Sequence, residues 1–118
     1  MLTQEDSAKL RTLLAATVKL SEPLMFASRR MDAHIAFRRQ LGMYIACTAL
    51  NLNQTEVGRL FGRDRATVRF ALRLVEDMRD HKIYDDMIEA LGRELVTQSE
   101  IQIRGPGKPT PQRPLRRR

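Results

Sequence analysis

Three arginines recur at every fourth position between residues 65 and 73, and arginine is the side chain best suited to binding anions. Arg65, Arg69 and Arg73 would share one stripe of a helix. Because like charges at this spacing repel in an isolated helix, the stripe indicates an anionic partner. Thr67 lies beside it near the predicted helix start, where a recognition helix reaches base edges. The pattern favours binding to double-stranded DNA over the alternative, a solvated cationic face of an ordinary helical hairpin.

Two helices joined by a tight turn are predicted for residues 53–76, and they would position this stripe. Asn53, with a glutamate three residues later, forms a capping box that starts the first helix. Gly62 ends that helix in a left-handed conformation. Asp64 is the predicted N-cap of the second helix, whose first turn includes Ala66.

The spacing of small and β-branched residues in this segment is that of a helix-turn-helix. Gly58, a turn glycine four residues later and Val68 six residues after that match the motif. Gly58 is expected where the second helix crosses close to the first. The apolar residues predicted to form the seam are Val57, Leu60, Phe61, Val68, Leu72 and Val75.

The positive charge of the chain is concentrated around this motif. The net charge is +7 over 118 residues, which is enough for one domain plus extensions. Residues 29–73 hold nine arginines against three carboxylates, whereas residues 76–100 hold eight carboxylates against three basic side chains. The coincidence of the basic part with the predicted helix-turn-helix supports nucleic-acid binding.

The fold class predicted is all-α, a compact helical bundle containing the helix-turn-helix, with a disordered basic C-terminal tail. Low aromatic content and helical spacing of apolar residues support it. The other helices are predicted at 4–19, 22–27, 34–50 and 84–96, and the second helix of the motif is expected to end near residue 81. The domain division predicted is an N-terminal helix at 1–20, a helix-turn-helix domain at 21–98 and the tail at 99–118.

Two arginine pairs outside the motif are candidates for phosphate contacts. Arg29 and Arg30 lie in a short connection, and a loop with two arginines ahead of a DNA-reading unit can clamp phosphates. Arg38 and Arg39 lie near the start of the long helix at 34–50. Paired surface arginines that are merely solvated are the alternative.

Neither catalysis nor metal chemistry has a visible residue set. The two histidines and the single cysteine lack partners at ligand spacing, so no metal and no cofactor are expected. No phosphate-cradling glycine loop occurs, so no nucleotide is expected. With no long apolar run or signal segment, a soluble, cytoplasmic and nucleoid-associated protein without membrane contact is expected.

Several motifs together resemble the C-terminal DNA-binding domain, domain IV, of the bacterial replication initiator DnaA. The resemblance covers about residues 19–79, and it includes a short helix ending in a basic loop at residues 24–30. The matching motifs are Arg39-Gln40, Glu56-Val57-Gly58, Phe61-Gly62 and Arg63-Asp64-Arg65-Ala66-Thr67-Val68.

The resemblance implies a helical domain that reads the nine-base DnaA box with the second helix of the motif in the major groove. The positions that match the functional residues of the family are Arg29, Arg30, Arg39, Arg63, Asp64, Thr67 and Arg73. With the residue-level reasoning, the candidate base readers are Arg65, Ala66, Thr67 and Arg69. The candidate phosphate contacts are Arg29, Arg30, Arg38, Arg39, Arg63 and Arg73.

The base-reading segment departs from the family pattern. Arg65-Ala66-Thr67 replaces His-Thr-Thr, Phe37 stands where the family has a minor-groove arginine, and the turn is one glycine shorter. Because arginine prefers guanine, the preferred site is expected to differ.

Two functions follow from these observations. The first is a non-enzymatic, sequence-specific DNA-binding protein that regulates replication initiation or transcription through DnaA-box-like sites. The alternative is an interaction protein that keeps the fold and binds the initiator or its regulators. Its contact surface would be the N-terminal helix or the acidic face of the last helix at Asp85, Asp86 and Glu89.

Overall fold

The computed structural model of the chain describes residues 2–27 and 32–100, and in these ranges all regular structure is helical. This confirms the predicted all-α class. The helices are α1 Gln4–Val18, α2 Glu22–Met25, α3 Ala33–Ala49, α4 Gln54–Phe61, α5 Arg65–Met78 and α6 Lys82–Ser99.

Helix α3 is the centre of the fold, because every other helix packs against it. Its residues are buried consecutively from Leu41 to Cys47, with Tyr44 1% and Ile45 0% exposed. The neighbouring helices cover this stretch on all sides. A helix that is apolar all round is the pattern expected for such a central position.

Helix α1 belongs to the same core as the helix-turn-helix. It packs against α3 and α6, and Leu10, Leu14 and Val18 are buried in the common apolar cluster. The segment at 1–20 therefore adds a layer to the bundle that carries α4 and α5.

Several helix ends differ from the prediction by two or more residues. Helix α2 ends at Met25 instead of residue 27, and α5 ends at Met78 instead of near residue 81. Helix α6 extends to Ser99, which is 3% exposed, so the predicted start of the tail at residue 99 falls inside a packed helix. Burial of the last turn against the bundle overrides the weak local stop signal there.

The rest of the predicted tail, residues 101–118, lies outside the described residues, as do Arg29 and Arg30. Within the described ranges, none of the helices has both the length and the apolarity of a membrane span.

Candidate nucleic-acid interface

The start of the helix-turn-helix is held by the predicted capping box. The amide of Glu56 donates to Asn53 Oδ1 at 2.8 Å, and the amide of Asn53 donates to Glu56 Oε1 at 3.0 Å. Gly62 ends α4 with φ +66°, a left-handed value that glycine adopts at little cost. Both local predictions are confirmed, and they set the angle at which the chain enters α5.

Gly58 is required by the turn more than by the crossing helix. A Cβ atom at this position would lie 2.6 Å from the backbone oxygen of Arg63, and the nearest atom of Val68 would be 3.8 Å away. The amide of Arg63 also donates to the Gly58 oxygen at 2.8 Å. The expected close approach is therefore present, but its partner is the backbone of the turn.

Helix α5 has one buried and one exposed face. Val68 and Val75 are fully buried and Ala71 is 1% exposed, so this side is packed against the bundle. The opposite side faces solvent and holds all four candidate base readers together with the third arginine of the stripe, namely Arg65, Ala66, Thr67, Arg69 and Arg73. Core packing thus turns the arginine stripe outward along a single helix.

Asp64 caps α5 as predicted. Its Oδ1 accepts the amide of Thr67 at 2.8 Å. This backbone hydrogen bond, the side-chain hydrogen bond of Thr67 and the nearby Arg69 lower the pKa of Asp64, in that order of importance. The carboxylate therefore stays ionised and fixes Thr67 in the first turn of the exposed helix.

The start of α4 lies beside the start of α5. Asn53, Gln54 and Thr55 line one surface cleft of about 360 Å³ together with Arg65. In helix-turn-helix proteins the first helix crosses the DNA backbone while the second enters the groove. This arrangement matches that geometry, with the amide groups of the α4 N-terminus next to the arginine stripe.

Arg39 has a structural role that the sequence did not reveal. It is only 6% exposed, and its Nε and Nη2 donate to the oxygen of Leu24 at 3.0 and 2.8 Å. Burial, and secondarily the charge of Arg63, lower the pKa of Arg39. In this position the guanidinium holds the end of α2, so the phosphate contact predicted for Arg39 does not fit its placement.

Arg38 and Arg63 also bind backbone oxygens near helix ends. Arg38 Nη1 donates to the oxygen of Val18 at 2.5 Å, and Arg63 Nη2 donates to that of Ala27 at 2.8 Å. Because Ala27 directly precedes residues 28–31, Arg63 connects the helix-turn-helix to the start of that basic segment. Both side chains are half-buried, in contrast to the exposed arginines of α5.

Most of the carboxylates predicted to form an acidic face on the last helix bind a buried arginine. The side chain of Arg79 is 2% exposed; its Nε donates to Asp85 Oδ1 at 2.5 Å and its Nη2 donates to Glu89 Oε2. Asp86 pairs instead with Lys82 at 3.2 Å on the surface. Two of the three carboxylates assigned to a partner surface are therefore part of the fold.

Sequence reasoning also missed the N-cap of α3. Asp32 Oδ1 accepts the amide of Ile35 at 3.1 Å. The sequence contained the signal, because an aspartate directly before apolar residues at helical spacing is a common N-cap. Among the described residues, no group of three or more His, Cys, Asp or Glu side chains could hold a metal ion.

Comparison with known protein families matches residues 11–75 to the bacterial DnaA protein helix-turn-helix. The match begins within α1 and ends within α5, and it includes all of α4 and most of α5. That family is a DNA-binding domain and not a catalytic one. A search of curated proteins found no match.

Proposed function

We propose that this chain, which belongs to the bacterial DnaA helix-turn-helix family, is a non-enzymatic, sequence-specific binder of double-stranded DNA. It regulates replication initiation or transcription through sites related to the DnaA box. It acts in the cytoplasm at the nucleoid, and neither a cofactor nor a nucleotide takes part.

The observation that carries the proposal is the exposed face of α5. Arg65, Arg69 and Arg73 are exposed there in one stripe while the opposite face is packed into the core. A helix presented in this way fits the major groove, which is about 12 Å wide. Three aligned cations on one helix match the charge of a nucleic-acid backbone better than that of an average protein surface.

Within this face, the roles divide by distance from the helix N-terminus. Arg65, Ala66, Thr67 and Arg69 are the proposed base readers, because the N-terminal turns of a recognition helix contact base edges. Arg73 lies about two turns beyond Arg65 and one turn beyond Arg69, and it is the proposed phosphate contact. Arg29, Arg30 and Arg63 remain proposed phosphate contacts on the basis of the family resemblance, and half-buried Arg38 on the basis of its place near the start of the long helix.

The exchange of His-Thr-Thr for Arg65-Ala66-Thr67 changes the expected specificity. Arginine donates two hydrogen bonds to guanine O6 and N7, and Ala66 offers a methyl contact only. The preferred sites are therefore related to the DnaA box and richer in guanine at the position that Arg65 reads.

The alternative, a protein-interaction regulator, has less support. Its acidic surface needed Asp85, Asp86 and Glu89, and two of these carboxylates bind Arg79. Changing them would weaken the fold as well as any partner contact, so a pull-down with such variants could not separate the two effects.

Fluorescence anisotropy with duplexes that carry an intact or a scrambled DnaA box, at two salt concentrations, tests the proposal. We expect a preference for the intact box of about tenfold or more, equivalent to about 1.4 kcal/mol. Arg65→Ala should reduce this preference. Arg73→Ala should weaken binding to both duplexes alike and lower the salt slope by about 0.9.

Arg93→Ala is the matched control, because Arg93 is an exposed arginine on α6, with a side chain that is 68% exposed. It should leave both affinities nearly unchanged. Equal affinity for the two duplexes that Arg65→Ala does not alter would contradict sequence-specific binding. Absence of salt-dependent binding to either duplex would contradict DNA binding itself.

A further inference from the structure

An apolar row runs along the exposed face of α5 beside the arginine stripe. Ala66, Phe70 and Leu74 follow each other at intervals of four residues and therefore lie in one row. Phe70 is 55% and Leu74 is 37% exposed. Ala66 and Arg69, and likewise Phe70 and Arg73, are three positions apart, so the apolar and cationic rows are neighbours on the helix surface.

Core packing does not explain Phe70. More than half of this residue faces solvent, whereas Val68, Ala71 and Val75 on the same helix supply the packed side. An aromatic ring left in water forgoes the free energy of burial, and Phe70 and Leu74 are neighbouring exposed apolar side chains, the kind of patch that a ligand covers.

The expected direction of the Phe70 side chain is toward the proposed base-reading turn of the helix. Long side chains on a helix lean toward its N-terminus and cover the residues three and four positions earlier. For Phe70 these are Thr67 and Ala66, which are small enough to leave room above the first turn. Phe70 thereby adjoins the proposed reading surface, one position beyond Arg69.

We propose that Phe70 reads thymine by packing its ring against a 5-methyl group in the major groove. This inference rests on the proposed function. The thymine methyl is the apolar group that base pairs present in the major groove, and phenylalanine contacts it in known complexes. The partner is DNA because Arg65, Arg69 and Arg73 run alongside the apolar row and complement the charge of phosphates.

The adjacency of the two rows specifies the kind of site. One helical turn is about 5.4 Å long and successive bases are about 3.4 Å apart, so neighbouring side chains reach neighbouring base pairs. Guanine contacted by Arg65 or Arg69 would thus lie within one or two base pairs of the thymine contacted by Phe70.

Thymine-to-uracil scanning tests this inference, because uracil lacks only the 5-methyl group. Duplexes selected by the wild-type protein from a randomised pool are resynthesised with one uracil at a time. At one position the exchange should weaken wild-type binding about fourfold, the equivalent of about 0.8 kcal/mol for one buried methyl group. In Phe70→Ala the same exchange should have no effect, which completes a double-mutant cycle.

Three variants serve as controls. Leu74→Ala removes the next apolar side chain of the row and should leave the thymine effect intact. Thr67→Ser, at a neighbouring proposed base reader, removes one methyl group of the protein; it should lower the overall affinity but preserve the difference between thymine and uracil. Phe70→Leu keeps an apolar side chain and should retain part of the effect; circular dichroism checks that each variant is folded.

The outcomes separate this inference from the proposed function. A uracil effect that persists in Phe70→Ala, or no uracil effect at any position, would overturn the role of Phe70 while leaving DNA binding in place. If Phe70→Ala bound every selected duplex with the wild-type affinity, the role of Phe70 would be overturned as well. The apolar row would then be a contact surface for a protein partner. Absence of salt-dependent binding to any duplex would overturn both proposals.

Discussion

At the scale of single residues, Arg79 joins three helices. It follows the last residue of α5, its Nη1 donates to Tyr44 Oη on α3 at 3.1 Å, and it pairs with Asp85 and Glu89 on α6. Burial alone would lower the pKa of Arg79, but the hydrogen bonds to Tyr44, Asp85 and Glu89 outweigh it and raise that pKa above its usual value. Arg79 therefore stays charged and holds both carboxylates.

Replacing Arg79 should destabilise the protein strongly. Arg79→Met removes the buried cation and leaves two carboxylates without it, for which the expected loss is at the lower end of about 3–5 kcal/mol, since both carboxylates keep some contact with water. Urea unfolding followed by circular dichroism measures it. Arg93→Met, at an exposed site, should change the stability by about 0.5 kcal/mol or less. A loss below about 1 kcal/mol for Arg79→Met would contradict the role assigned to the network.

Tyr44 makes stability depend on alkaline pH. Burial, followed by the hydrogen bond to Glu76, raises the pKa of Tyr44 to about 12. An unfolded tyrosine has a pKa of about 10, so the folded state favours the protonated form. This contribution is complete below about pH 10 and is lost between about pH 10 and 12, amounting to about 2–3 kcal/mol.

Urea unfolding across that pH range checks the prediction. The stability difference between wild type and Tyr44→Phe should shrink as the pH rises, because phenylalanine has no proton to lose. Tyr84→Phe is the control, since Tyr84 is 40% exposed. A constant difference between wild type and Tyr44→Phe would show that Tyr44 does not titrate in this way.

At the scale of elements, the conformation of the turn between α4 and α5 requires two glycines, each for a different physical reason. Gly62 needs its positive φ, and a Cβ there would meet no atom within 4 Å. Gly58 needs its missing side chain, because a Cβ would lie 2.6 Å from the Arg63 oxygen. One glycine satisfies a backbone conformation and the other a close approach.

Gly58→Ala should therefore cost more than its helical location suggests. Alanine favours a helix over glycine by about 1 kcal/mol, but the contact with a backbone oxygen forces the turn to shift, and overpacking costs about 1–3 kcal/mol. We expect a net loss of stability and weaker DNA binding, because α5 moves relative to α4. Thermal unfolding and anisotropy measure the two effects.

Gly92→Ala is the matched comparison. Its new Cβ would meet the Cβ of Ala49 at 3.5 Å, an ordinary van der Waals contact. It should be neutral or stabilising by up to about 1 kcal/mol, with DNA affinity unchanged. A similar effect of the two exchanges would contradict the steric argument for Gly58.

At the scale of the whole molecule, one core supports the reading helix. Helix α3 contacts all the others, and α1 packs on α3 and α6 without belonging to the motif. The packed side of α5 rests on this core through Val68, Ala71 and Val75. The orientation of the arginine stripe therefore depends on residues far from it in sequence.

Leu14→Ala tests the shared core from α1, the helix that is farthest from the helix-turn-helix in sequence. Leu14 is fully buried in α1, so the exchange should cost about 2–5 kcal/mol and keep a single cooperative transition. DNA affinity per folded molecule should be unchanged at low temperature. Lys9→Ala, at an exposed position of α1, is the control. Two separate transitions would show that α1 folds independently of the motif.

The sequence by itself determined the helices of the motif, their caps and the exposed arginine stripe. The capping box at Asn53, the left-handed Gly62 and the cap at Asp64 were predictable because each rests on bonds between residues about three positions apart. The periodicity of Arg65, Arg69 and Arg73 is likewise local. It predicted a common face without knowledge of the fold.

Only the tertiary structure decided which arginines are available to a ligand. Arg39 binds an oxygen 15 residues away in the chain, and Arg79 is buried by helices α3 and α6. The sequence does not distinguish an arginine whose guanidinium faces water from one whose guanidinium binds a helix end. Its partners come together through packing of distant segments, and sequence spacing carries no record of those contacts.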